Sequence, residues 1–168
     1  MNIVEGTVPI GGNRFEDVGS FIDALDSIGE RHDVTVQAFD ARYVVSRRHL
    51  ERAVELADRE RGRGEAIARD RGVEIALYAA GRRQIDRAFE MGVSPGETPT
   101  VVLVDGPGEE AAAAAAVADL LTPAATLGAY DEARVRSFYD IGAAELEATD
   151  AGLPALVLER VALLVVER

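Results

Sequence analysis

Two pairs of arginines stand where helices are expected to begin. Arg47 and Arg48 follow Ser46, whose hydroxyl suits a helix N-cap. Arg82 and Arg83 follow Gly81 in the same way. A helix start carries unpaired backbone N–H groups and the positive end of the macrodipole. Cations placed there oppose the dipole by about 0.3–1 kcal/mol each at low salt, a cost that a bound anion would offset. His49 beside the first pair adds a donor or a flat face for stacking. The pattern alone divides evenly between an anion site and solvated helix ends, because Arg48 has Glu51 within reach and Arg82 has Asp86.

Other chemistries have less to stand on. The chain has no cysteine and two histidines, His32 and His49, in no zinc-ligand spacing. Ser20, Ser27, Ser46, Ser94 and Ser137 lie in no nucleophile-elbow pattern. Gly106-Pro107-Gly108 follows an apolar run and precedes a helix, the layout of a dinucleotide loop. It lacks the third glycine, and Glu109 and Glu110 would repel a phosphate. Asp105 with those glutamates could hold Mg²⁺, although scattered carboxylates are ordinary on so acidic a chain. No cofactor is expected.

The 168 residues suit one domain, and 48% hydrophobic content supplies a core. No apolar run approaches the ~20 residues of a membrane span, and the N-terminal residues show no secretory pattern. A cytoplasmic location is expected. All 18 basic residues are arginine, against 30 acids, for a net charge of −12. Acidity without lysine matches a halophile's protein, and equally a GC-rich genome. The charge is segregated. Residues 31–87 hold 13 arginines and 10 acids, an asymmetry that points to an anionic partner.

The elements that must position these residues follow from periodicity. Strands are expected at Asn2–Val8, Val34–Phe39 and Thr100–Val104, the last nearly continuous in apolar residues as a central strand would be. Helices are expected at Phe15–Gly29, from Ser46 to about residue 58, over 65–80 and, after Gly81, over Arg82–Met91. In that last helix Ile85, Ala88 and Phe89 would face inward. Arg59–Gly64 reads as a solvated connection. An alanine-rich helix is expected at Glu109–Leu121, a short strand at Ala124–Leu127, and helical pieces at Asp131–Tyr139 and Ala143–Ala148. Leu156–Val166 is a helix, or a helix running into a strand. The sum is a single compact α/β domain over 1–168, with a small mixed sheet flanked by helices.

Two stretches carry a resemblance. One is Phe39-Asp40-Ala41-Arg42-Tyr43-Val44-Val45-Ser46-Arg47-Arg48-His49-Leu50, with Ala53 and Ala57. The other runs from Glu74-Ile75 to Gly81-Arg82-Arg83-Gln84-Ile85-Asp86-Arg87-Ala88-Phe89. Together they resemble the small kinase-binding subunit of the KEOPS/EKC complex, the PRPK-binding protein family, most strongly over residues 35–105. The resemblance implies a non-catalytic subunit that binds and regulates a small atypical kinase/ATPase. It also implies binding of the tRNA 3′ CCA end in support of threonylcarbamoyladenosine modification. It places tRNA contacts at Arg82, Arg83, Gln84 and Ile85, with Arg47, Arg48 and His49 beside them. Kinase-contacting residues are not assigned by it. A small stand-alone enzyme on a nucleotide-like substrate is the competing reading, and a homo-oligomeric scaffold built on the alanine-rich helix is a third.

Overall fold

The computed structural model describes residues 1–167. In chain order the elements are β1 (Asn2–Ile10), α1 (Val18–His32), β2 (Thr35–Asp40), α2 (Arg47–Gly62), α3 (Arg71–Ala80) and α4 (Ile85–Ala88). They continue with β3 (Gly96–Asp105), α5 (Glu110–Ala118), β4 (Thr122–Pro123), α6 (Glu132–Phe138), α7 (Ala143–Glu147) and α8 (Gly152–Leu163). Single 3₁₀ turns cover Ala41–Tyr43 and Phe89–Met91. No described helix is long and apolar enough to cross a membrane. The chain forms two compact units, Met1–Ala41 with Gly92–Ala129, and Arg42–Met91 with the residues from Tyr130 onward.

The first unit is a four-stranded sheet of order β2-β3-β1-β4. The α/β class is as expected, but the sheet is antiparallel at every pairing rather than mixed. The reason is topological. β1 and β2 run parallel and are joined by α1, yet β3 enters between them and pairs antiparallel with both, a split βαβ arrangement. Alternation then decides the faces. Val8, Ile10, Val36, Ala38, Val102 and Val104 turn to one side, where Phe21, Leu25 and Ile28 of α1 and Ala113 and Val117 of α5 cover them. β3 holds the centre, and Val101 through Val104 are all fully buried.

One detail of this unit differs from expectation, and another bears on the loop after β3. The short strand falls at Thr122–Pro123 instead of Ala124–Leu127. The later residues are drawn in by Glu5, whose carboxylate accepts from the N–H groups of Thr126 and Leu127 at 2.9 and 2.7 Å. The Gly106-Pro107-Gly108 turn packs on the end of α1. Gly108 and Glu109 donate their N–H groups to the carbonyls of Asp33 and His32 at 3.0 and 2.8 Å. The N–H groups of Gly108 and Glu109 are thereby used within the protein and are not free for a phosphate.

The second unit is helical, with α2, α3 and α8 packed on one another. Ser46 caps α2 as expected, accepting from the His49 N–H at 3.1 Å. The expected solvated connection at 59–64 is helix as far as Gly62. The loop comes later, because α3 starts only at Arg71, capped by Asp70. Two groups fold that loop. The fully buried Glu74 accepts from Ile67 and Ala68 N–H at 3.1 and 2.6 Å, and Arg61 donates to the carbonyls of Ala68 and Arg69. α8 is helical throughout, so the final segment does not turn into a strand.

Candidate nucleic-acid interface

α3 ends at Gly81, which takes the left-handed conformation, φ 61°. A side chain there would meet the Arg160 carbonyl at 3.1 Å as well as strain the backbone. The Gly81 N–H bonds the Tyr78 carbonyl and the Arg82 N–H bonds the Leu77 carbonyl, both at 3.1 Å. This is the Schellman stop. Arg82 and Arg83 therefore follow a helix end rather than begin a helix. α4 does not open until Ile85, has four residues and no side-chain cap. The expected helix-start anion site at the second arginine pair is not formed.

The two arginines of that pair separate. Arg82 turns inward. Its guanidinium lies over the Phe138 ring at 5.4 Å, donates to the Phe138 carbonyl, and pairs with Asp140 at 3.5 Å. Arg83 turns outward, is exposed, and touches the Glu167 carbonyl at 3.4 Å, with no carboxylate partner among the described residues. Gln84 is exposed beside it.

Ile85 and Phe89, expected to be inward, are each 48% exposed. After Ala88 the chain tightens from α to 3₁₀, where three residues make a turn. Ala88 and Met91, three apart, share the buried side, and Phe89 is left out. Arg87 is paired with Glu90 at 2.8 Å. The outward surface of this segment thus holds Arg83 without a carboxylate, the Gln84 amide, the apolar Ile85 and Phe89, the carboxylate of Asp86, and the paired Arg87 and Glu90.

The first pair is elsewhere and differently employed. Arg47 pairs with Glu51 at 2.9 Å, and Arg48 with Glu55 at 2.7 Å. His49 has no surface to offer. It is fully buried, and burial pushes its pKa down to about 4, against the opposing effect of its bond to Ala79. Nδ1 accepts from the Val45 N–H at 3.3 Å, so the ring proton sits on Nε2, which donates to the Ala79 carbonyl at 2.8 Å. The expectation that His49 stacks on or donates to a ligand is corrected on this ground. The S-x-x-H spacing is structural.

Sequence periodicity concealed Phe89, because a single heptad-like spacing cannot reveal a change of helix type. It also concealed Tyr139, whose hydroxyl reaches the Ala79 carbonyl at 2.6 Å, His49 Nε2 at 3.1 Å and Met91 Sδ at 3.4 Å. Among the described residues no cluster of three or more His, Asp or Glu side chains is placed to hold a metal ion.

A family model described as Kinase binding protein CGI-121 matches residues 15–164. A search of curated proteins finds no match.

Proposed function

The chain belongs to the CGI-121 kinase-binding family, and from that premise we propose that it is a non-catalytic subunit of the KEOPS complex. In this reading residues 1–168 serve as one module that binds and regulates a small atypical kinase/ATPase. The same module binds the tRNA 3′ CCA end, in support of threonylcarbamoyladenosine modification.

One observation carries the RNA half of the reading: the segment 83–89 exposes Arg83, Gln84, Ile85 and Phe89, with Asp86 and the Glu90-paired Arg87 among them. Single-stranded RNA is held by stacking of unpaired bases and by cations on its phosphates. Phe89 and Ile85 offer faces for bases. Arg83 offers a charge that no carboxylate of the described chain neutralises, and Gln84 offers both a donor and an acceptor to a base edge. Arg82 acts behind the surface, and Arg47 and Arg48 have smaller roles because Glu51 and Glu55 already hold them.

The test is paired binding. Arg83→Glu with Phe89→Ala is compared with wild type against a tRNA ending in CCA, and separately against the kinase subunit. The reading predicts lost tRNA affinity with retained kinase affinity. A variant that binds tRNA as wild type does would contradict the placement, and a wild-type chain that binds neither partner would contradict the function.

A further inference from the structure

A helix end buried in protein leaves carbonyls that need donors. At the end of α3 the Schellman bonds satisfy Leu77 and Tyr78. Ala80 and Ala79 are left, both fully buried, and it is Ala79 that other elements serve. Its carbonyl takes two donors, His49 Nε2–H at 2.8 Å and the Tyr139 hydroxyl at 2.6 Å. The same hydroxyl lies 3.4 Å from the sulfur of Met91. Ala79 lies just before residues 82–91 and Met91 closes them, so one oxygen touches both flanks of the segment that carries Arg83, Gln84, Ile85 and Phe89.

Tyr139 is itself held on every side. Its ring meets Phe138 edge-on at 4.9 Å and His49 at 6.0 Å. Its carbonyl accepts from Arg160 Nε at 3.1 Å, and Arg160 is fixed by a two-pronged pair with Glu145, both bonds 2.7 Å. Arg82 reaches the same turn through the Phe138 carbonyl and Asp140. The end of α6 is therefore a rigid mount, and the segment hangs from it by Arg82 on one side and by the Tyr139 hydroxyl on the other.

We propose that Tyr139 is a positioning residue of the RNA-binding segment: its buried hydroxyl donates its one proton to the Ala79 carbonyl ahead of residues 82–91 and packs against the Met91 sulfur at their end, and so fixes the presentation of Arg83, Ile85 and Phe89. This rests on the RNA reading above and adds to it the residue that shapes the site without touching the ligand. Ordering before binding matters here, because a four-residue helix and one 3₁₀ turn have little cooperative stability of their own.

Tyr139→Phe removes the oxygen alone. His49 still satisfies the Ala79 carbonyl, so no buried acceptor is orphaned and the fold is retained. Three readouts follow for wild type and variant. Amide hydrogen exchange across 82–91, measured without RNA, is expected to quicken in the variant while exchange in the sheet stays unchanged. Affinity for a tRNA ending in CCA is expected to fall about five- to tenfold, the equivalent of one modest hydrogen bond. Kinase-subunit affinity is expected to stay within about twofold. Unchanged exchange across 82–91 overturns the proposal, as does tRNA affinity equal to that of a binding wild type. If wild type binds no tRNA, the RNA reading fails, and the exchange measurement still judges the tie by itself. Should Tyr139→Phe fail to fold, Met91→Leu severs only the sulfur contact, and unaltered exchange at 89–91 in that variant likewise overturns the proposal.

Discussion

His49 sits where a charged imidazole has no water to reach, and its proton balance is therefore a stability term. Its folded pKa of about 4 lies below the ordinary value of 6.5. The unfolded chain binds the proton first, so stability is complete above about pH 6.5 and falls as pH drops toward 4, by up to about 3 kcal/mol. His49→Gln should lose this part of the pH dependence. Unfolding free energies of both proteins between pH 7 and 4.5 check it, and parallel curves would refute it. Arg82 and Arg83 make a second contrast. Arg82→Ala gives up the Phe138 carbonyl, the ring contact and Asp140, and should destabilise by about 1–3 kcal/mol. Arg83→Ala should stay within about 0.5 kcal/mol. Chemical denaturation measures both, and equal losses would mean that the two side chains are not divided as described. The sequence showed two adjacent arginines and no means of telling which turns inward, since that depends on Phe138 and Asp140, more than fifty residues away.

At the scale of elements, close packing at turns decides more than motif appearance. A Cβ at Gly108 would sit 2.0 Å from the His32 carbonyl and 2.6 Å from that of Asp33. Gly108→Ala should therefore cost roughly 1–3 kcal/mol, whereas Gly12→Ala, with nothing within 4 Å, should be nearly neutral. Thermal melts of the two variants are the check, and equal melting temperatures would contradict the packing role. The three long strands and α1 were legible in the sequence, the strands by their apolar and β-branched runs, nearly continuous in β3, and α1 by apolar residues repeating at three to four positions. So was the Ser46 cap, a local interaction. The end of α2, the late start of α3 and the 3₁₀ turn at Phe89 were not. Glu74 folds the loop before α3 from within the core, and the outward turn of Phe89 hangs on Met91 and Tyr139. Both are tertiary contacts that no window of sequence contains. The antiparallel pairing of the sheet was hidden for a similar reason, because β3 enters from far along the chain.

For the whole molecule, charge divides with the two units. The first holds two arginines and 13 acids, a net of −11, and the second is close to balanced at −1 over the full sequence. An anionic RNA is repelled by the first and tolerated by the second, which carries the 83–89 segment. The first unit's carboxylates repel one another over a Debye length of ~10 Å at 0.1 M salt and only ~3 Å at 1 M. Stability should therefore fall as potassium chloride is diluted from molar to 0.1 M. A melting temperature that does not move over that range would remove the argument for a salt-adapted chain.

The central claim is that residues 83–89 receive the 3′ end of tRNA. The most direct measurement is a four-way comparison at one stated salt concentration: wild type and Arg83→Glu/Phe89→Ala, each against tRNA with and without its terminal CCA. If both changes strike one contact, each alone should weaken binding strongly and the double change should add little beyond the larger loss. Fully additive losses, or a variant that still discriminates intact from trimmed tRNA as wild type does, would place the CCA site elsewhere on the molecule.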